Sequence, residues 1–244
     1  MAKLEKLGTL IETDVLVIGG GVSGLWAANR GRGFVDRITV VDKGPLDWGG
    51  LCGMSGGGMI AILPDEDIDE VVQELVYYYD GLCDQDMIRE IVRQSIYRIK
   101  DYERLGCEFL KGPDGKLEGI PQRGLEHIKC YIGQPFGRDE KNMVEALIRE
   151  SNRLGVERLG RILITDLLER DGAVVGAVGF HTRSGEFYIF KVGAVILATG
   201  TGGWKSSCGR NSCAGEGIDM ASRAGTELSN FEFVRVWNVP KKFS

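Results

Sequence analysis

The chain predicts an α/β protein built on a doubly wound parallel sheet, with an inserted β-meander and a helical segment. Three observations predict it. Residues 14–24 read Asp-Val-Leu-Val-Ile-Gly-Gly-Gly-Val-Ser-Gly and run into Leu25-Trp-Ala-Ala, the pattern of a strand that turns through glycines into a helix. Ile38-Thr-Val-Val-Asp42 is a β-branched run ending in an acid, as the second strand of such a unit would be. Ala194-Val-Ile-Leu-Ala198 is continuously apolar, as strands buried on both faces of a parallel sheet are.

The first unit carries the most chemistry. Gly19 permits the sharp turn out of the strand, Gly21 lets the backbone approach a pyrophosphate, and Gly24 lets the helix pack close to the strand, so that the helix N-terminus faces the phosphates. Gly20, Val22 and Ser23 complete the candidate phosphate loop. Gly-x-Gly-x-x-Gly arises by chance in a chain with 36 glycines, so the assignment rests on the strand, turn, helix, strand order and on Asp42. That carboxylate stands about 20 residues beyond the loop, where it accepts hydrogen bonds from ribose hydroxyls. It also repels a 2′-phosphate, which favours FAD or NAD over NADP in a Rossmann-like site.

Composition excludes several classes. At 244 residues and 43% apolar content the chain supports a globular core of one or two domains. Net charge is −5 and the 30 Lys and Arg are spread along the chain, which leaves no basic stripe for nucleic acid. No run of 18 uncharged apolar residues occurs, and the first apolar stretch, residues 15–18, is too short for the core of a signal peptide. A soluble cytoplasmic protein is expected. Its six cysteines, at 52, 83, 107, 130, 208 and 213, are then expected to be reduced. Without Cys-x-x-Cys spacing, and with His127 and His181 far apart, no metal site is expected.

From Lys43 onward comes a second glycine cluster, Gly49-Gly50-Leu-Cys52-Gly53-Met-Ser55-Gly56-Gly57-Gly58-Met59, ahead of an Ile60-Ala-Ile-Leu segment expected to be helical. Residues without side chains let a flat ring or a phosphate lie against the backbone, whose successive amides bind oxygen atoms. Lys43, Gly49, Gly50, Cys52, Ser55, Gly56 and Gly57 are therefore candidate cofactor contacts.

Helical period then places Ile68, Val71, Val72, Leu75, Val76 and Tyr79 on one face, and Ile88, Ile91, Val92, Ser95, Ile96, Ile99 and Tyr102 on another. Gly81 and Asp84 mark the break, with Asp84 as N-cap. Tyr77, Tyr78 and Tyr79 are expected to be half core and half rim. Gly112-Pro-Asp-Gly115 predicts a hairpin turn. Residues 121–138 lack a period, and their Arg123, His127, Lys129, Cys130 and Arg138 are the expected substrate-facing polar groups. Asp139 is expected to cap a helix with the face Met143, Val144, Leu147, Ile148 and Leu154, ended by Gly155. A β-meander follows, with strands at 162–168, 173–180 and 187–190 separated by turns at Asp171-Gly172 and Ser184-Gly185. The strand at 194–198 ends in Thr199-Gly200, at the carboxyl edge where ligands of open α/β sheets bind. A meander in this place favours a flavin-binding arrangement over a nicotinamide one.

Read in order, residues 14–42, Gly49-Gly50 with Ser55-Gly56-Gly57-Gly58-Met59, Gly81-Leu-Cys-Asp, Ala194-Val-Ile-Leu-Ala-Thr-Gly200, Ala214-Gly-Glu-Gly-Ile-Asp-Met-Ala221, Arg223-Ala-Gly225 and Glu232-Phe-Val234 form a series of motifs. The series resembles the flavoprotein subunits of the fumarate reductase and succinate dehydrogenase family, which includes aspartate oxidase and adenylylsulfate reductase. The resemblance spans nearly the whole chain. It implies FAD extended across the sheet, exchanging a hydride at its N5 position. It implies Gly19, Gly21, Ser23 and Gly24 at the pyrophosphate and Asp42 at the adenosine ribose. The cluster from Gly49 to Gly57 would run along the pyrophosphate, ribityl chain and ring, with Thr199 and Gly200 on the adenine side. Glu216 stands where the family usually has the aspartate of Thr-Gly-Asp-Gly, so the implied contact comes from a side chain one methylene longer.

Three departures shape the expectation. The second glycine cluster lacks the histidine through which some members bind FAD covalently, so FAD is expected to be non-covalent. The family's substrate histidine is replaced in Val236-Trp237-Asn238, which argues against succinate or fumarate and puts Trp237 either over the flavin or in the core. The family's cap domain and returning strands do not follow, so the FAD-binding domain is expected to be incomplete. Its parts are a glycine-turn unit at 13–60, a helical segment at 66–155, the meander at 158–191 and a closing strand and helix at 193–226. A second chain or a further C-terminal segment is expected to complete it, with a small-molecule substrate or redox partner protein, and no catalytic acid or base is assigned.

Two other readings stay open: a non-catalytic flavin-binding or electron-transfer scaffold subunit, and a thiazole-synthase-like protein. A dithiol reductase would need a second cysteine five residues after Cys52, and position 57 is glycine.

Overall fold

The structure is a computed structural model that describes residues 7–47, 50–54, 57–64, 66–133, 142–203 and 213–230. Along the chain run β1 (Thr9–Ile18), α1 (Val22–Gly31), β2 (Ile38–Asp42), β3 (Gly58–Ala61), α2 (Ile68–Tyr78), α3 (Gln85–Arg104), β4 (Gly119–Pro121) and β5 (Lys129–Ile132). They are followed by α4 (Met143–Arg153), β6 (Glu157–Gly160), β7 (Ile162–Arg170), β8 (Ala173–His181), β9 (Phe187–Leu197) and α5 (Glu216–Arg223). No helix among the described residues is long and apolar enough to cross a membrane.

The main sheet has the order β6-β2-β1-β9-β8-β7. Its first four strands are parallel, with Val15 to Ile18 of β1 facing Ile38 to Val41 of β2 on one side and Ala194 to Leu197 of β9 on the other. β8 and β7 extend the sheet antiparallel. The expected α/β architecture with a parallel core is therefore present. Leu16, Val17 and Val41 are fully buried, as central strands covered on both faces must be, whereas the 194–198 run, expected to be buried on both faces, leaves Ala194, Ile196 and Leu197 exposed where β8 no longer pairs with it.

The meander is joined to the parallel core differently from the sequence reading. The strands expected at 187–190 and 194–198 are one continuous strand, β9, which pairs with β8 over its first half and with β1 along its length. The ladder with β1 skips Asp14 and Gly193, where a Cβ on Gly193 would lie 3.0 Å from the Asp14 carbonyl oxygen. Residues 157–160, of which 158–160 are expected to belong to the meander, form β6 beside β2 at the opposite edge of the sheet. Neighbouring strands are about 4.8 Å apart, so a flat sheet would hold β7 about 19 Å from β2. Ile162 and Ile164 of β7 nevertheless pack in one cluster with Leu16, Ile18, Val41 and Phe190. The antiparallel part therefore curls back over one face of the parallel strands.

The other face carries α1 and α4. Asn29 of α1 donates to the Leu147 carbonyl at 3.0 Å, and fully buried Ser151 donates to Asn29 Oδ1 at 2.6 Å, which fixes one helix against the other. Leu25, Ile99, Tyr102 and Leu147 share a core that ties α3 to this pair. Asp84 caps α3, accepting from the Met87 amide at 2.9 Å as expected. Asn142 caps α4, accepting from the Val144 amide at 2.8 Å; the expected cap, Asp139, lies outside the described residues. The Ile60 segment is not a helix. Gly58–Ala61 pairs antiparallel with β5 in a small sheet of order β3-β5-β4, because a four-residue stretch satisfies its backbone in a ladder but is too short to sustain a helix. All three tyrosines 77–79 are exposed rather than half buried, since the packed stripe of α2 ends at Leu75.

Candidate functional site: a nucleotide pocket at the carboxyl edge

A cavity of about 560 Å³ opens at the carboxyl ends of β1, β2 and β9. Its walls collect residues from distant parts of the chain. The turn after β1 contributes Gly19, Gly21, Val22 and Ser23, and the end of β2 contributes Asp42 and Lys43. Gly50 and Cys52 come from a short 3-10 turn, Gly50–Met54, Thr199 and Gly200 follow β9, and Glu216 starts α5.

The glycine turn has the geometry its residues imply. Gly19 has φ +113°, and a Cβ there would lie 2.3 Å from the Ala198 carbonyl oxygen, so no other residue fits without displacing β9. A Cβ on Gly24 would lie 1.8 Å from the Gly19 carbonyl oxygen, which is the close helix-to-strand approach the motif requires. Helix α1 starts at an N-cap of Gly21 with no side-chain cap, which leaves its first-turn amides for an anion.

Asp42 is braced by backbone. Its Oδ2 accepts from the Gly20 amide and its Oδ1 from the Gly44 amide, each at 2.6 Å, and each oxygen retains a lone pair. Across the cavity Lys43 Nζ meets Glu216 Oε1 at 2.5 Å, with both side chains about 30% exposed. Burial pushes the Glu216 carboxyl up, but the Lys43 hydrogen bond and charge, together with backbone amides, outweigh it and hold the group below its ordinary range. The Cys52 thiol is pushed up by loss of solvation, with a smaller contribution from Cys213 nearby.

Not every expected residue reaches the cavity. Gly20 acts through Asp42 rather than from the wall. Gly57 is buried, its carbonyl accepting from the Gly133 amide at 3.0 Å, away from the lining. Gly49, Ser55 and Gly56 lie outside the described residues, as do Arg138 and Trp237. Of the polar group expected to face substrate, His127 and Lys129 do not line this cavity. His127 Nδ1, in the loop before β5, and Lys129 Nζ, at the start of β5, lie 3.1 and 3.4 Å from the Glu66 carboxylate. Ile162, Ile164, Met220 and Cys213 line the cavity and were not legible as site residues: the first three come from the curled meander and α5, for which no local signal exists. Among the described residues no cluster of His, Cys, Asp and Glu could hold a metal ion.

A pocket with free helix amides, a braced acid and glycine walls at a parallel sheet edge fits an extended dinucleotide. Comparison with known proteins agrees. A fumarate reductase (CoM/CoB) chain of Methanothermobacter marburgensis is 30% identical over 233 residues, covering 93% of this chain and 42% of its own length. The L-aspartate oxidase of Streptomyces coelicolor is 29% identical over 237 residues, covering 93% of this chain and 40% of its own. The solved structure of Mycobacterium smegmatis Sdh1 in complex with UQ1 superposes with a TM-score of 0.76 at 26% identity, over 88% of this chain and 39% of that one. The chain thus spans about two fifths of the length of these relatives. Residues 14–243 match the family described as FAD binding domain, so the chain belongs to that family of flavoproteins and its cofactor is FAD.

Proposed function

We propose that this chain is the nucleotide-holding part of an FAD-dependent oxidoreductase of the fumarate reductase and succinate dehydrogenase type, with FAD bound non-covalently. The observation that carries this reading is the cavity itself, which brings the glycine turn, Asp42 and the Thr199-Gly200 end of β9 to one place at the carboxyl edge. In this assignment the amides from Gly21 to Gly24 hold the pyrophosphate and Asp42 takes the ribose hydroxyls. Lys43 and Glu216 border the nucleotide, and Gly50, Thr199 and Gly200 let backbone lie against it. Bound FAD supplies hydride and electron exchange at its ring. The chain's own residues bind and orient it.

A further segment or partner chain completes the catalytic unit in this reading. Support comes from the far edge of β9: among the described residues β8 pairs only as far as Lys191, and Ile196 and Leu197 beyond it are 38% and 36% exposed. An open parallel edge with apolar side chains is a template for another strand.

Reconstitution with FAD followed by stopped-flow reduction and reoxidation tests the reading. A yellow protein whose flavin reacts faster than free flavin with a small substrate or a redox partner supports it. Flavin that binds but reacts at free-flavin rates in every combination leaves a scaffold role instead. A chain that takes up no FAD removes the reading altogether.

A further inference from the structure

We infer that Cys52 and Cys213 form a dithiol on the walls of the flavin pocket that closes to a disulfide when the pocket lacks its nucleotide, so that cofactor occupancy gates thiol oxidation. The inference rests on the FAD reading above. Both cysteines line the same cavity. Cys52 follows Gly50, whose Cβ position would lie 3.2 Å from the Gly21 Cα, so one thiol flanks the phosphate turn. Cys213 accepts from the Gly203 amide at 2.8 Å through its carbonyl, and its Sγ lies 2.7 Å from the Cβ position of Gly200, so the other flanks the end of β9. The cavity they share is the one assigned to the nucleotide. A sequence rule seeks the partner of Cys52 at position 57 and finds glycine; the fold supplies Cys213 from the segment before α5.

Cys213 also contributes to the upward push on the Cys52 thiol, after loss of solvation, which puts the two within electrostatic range of each other. The same push makes the Cys52 thiolate scarce at neutral pH, so exchange quickens in mildly alkaline solution. The step uses an external disulfide such as oxidised glutathione. One cysteine thiolate attacks it, forms a mixed disulfide and expels a glutathione thiolate. The second cysteine thiolate attacks the protein sulfur of that bond and expels the other glutathione. The protein loses two electrons and two protons, and the glutathione disulfide takes up both. Closure needs the two Cα atoms within about 7 Å, and in the proposed gate a nucleotide filling the shared cavity blocks that approach.

The test incubates the full chain with oxidised glutathione at mildly alkaline pH, with and without FAD. Samples quenched by alkylation are mapped by non-reducing peptide mass spectrometry, and FAD binding is followed in parallel by flavin fluorescence. The Cys52 to Cys213 linked peptide is expected without FAD, and its rate of appearance should fall about tenfold at FAD ten times its Kd, since only the open fraction reacts. Cys208→Ser should keep the linked peptide and Cys52→Ser should lose it. If FAD binds and no such peptide forms in its absence, or it forms equally fast in its presence, the dithiol gate is overturned while the cofactor reading stands. A chain that forms the peptide but binds no FAD overturns the cofactor reading, and the gate with it.

Discussion

The Gly20 amide donates to Asp42 Oδ2 at 2.6 Å, while the Gly44 amide occupies the other carboxylate oxygen at the same distance. The acid at the end of β2 therefore braces the glycine turn from below, and in the proposed assignment it also takes the ribose hydroxyls. Asp42→Ala should weaken FAD binding by roughly 1.5–3 kcal/mol, the usual worth of a hydrogen bond to a charged group. Asp42→Asn, which keeps one acceptor oxygen, should lose less. Fluorescence titration of FAD reads both, and equal affinity in all three proteins would show that the brace is idle.

The glycines of the turn should separate binding from folding. Gly21→Val puts a branched side chain at the mouth of α1 and is expected to abolish FAD retention with little change in far-UV circular dichroism. Gly24→Ala forces a methyl into the Gly19 carbonyl oxygen, so it should destabilise the fold by at least the roughly 1–3 kcal/mol of overpacking. Denaturant melts beside flavin content distinguish the two. Normal flavin in Gly21→Val would remove the assigned phosphate loop.

Phe190 is fully buried where the curled meander meets the parallel strands. Phe190→Ala should cost about 3–5 kcal/mol, because the cavity it leaves lies between two sheet layers that cannot easily collapse. Urea unfolding measures this, and a loss below about 1 kcal/mol would contradict the packing described.

The loop before β5 should be tied down in a pH-dependent way. The hydrogen bond to Glu66 raises His127 above its ordinary value, and the same bond lowers Glu66 below its own. His127's contribution is complete below its unfolded value of about 6.5 and is lost as pH rises through its folded value. Glu66's is complete above its unfolded value of about 4.3 and is lost as pH falls. Protection of the Ile128 amide region from hydrogen exchange, corrected for intrinsic rates, should therefore be greatest between these values. It should fall on the alkaline side, and His127→Gln should flatten the alkaline limb. An unchanged profile in that variant would show that the pair does not hold the loop.

Local chemistry determined the glycine turn, the acid at Asp42, the Asp84 cap and the amphipathic faces of α3 and α4, because each depends on residues within a turn or a strand of one another. The same locality picked out Gly19, Asp42 and Thr199, which the fold brings to one cavity, and Gly24, which packs α1 against the turn without lining it. Only the tertiary structure decided that 187–197 is a single strand, that residues 157–160 pair beside β2, and that Ile162, Met220 and Cys213 share the pocket with Cys52. The ladder's skip at Asp14 and Gly193 and the curl of β7 over Val41 arise from pairing and burial between segments far apart in the chain. No window of sequence carries that information. His127 and Lys129 make the same point: nothing local to them announces their contact with Glu66, some sixty residues away.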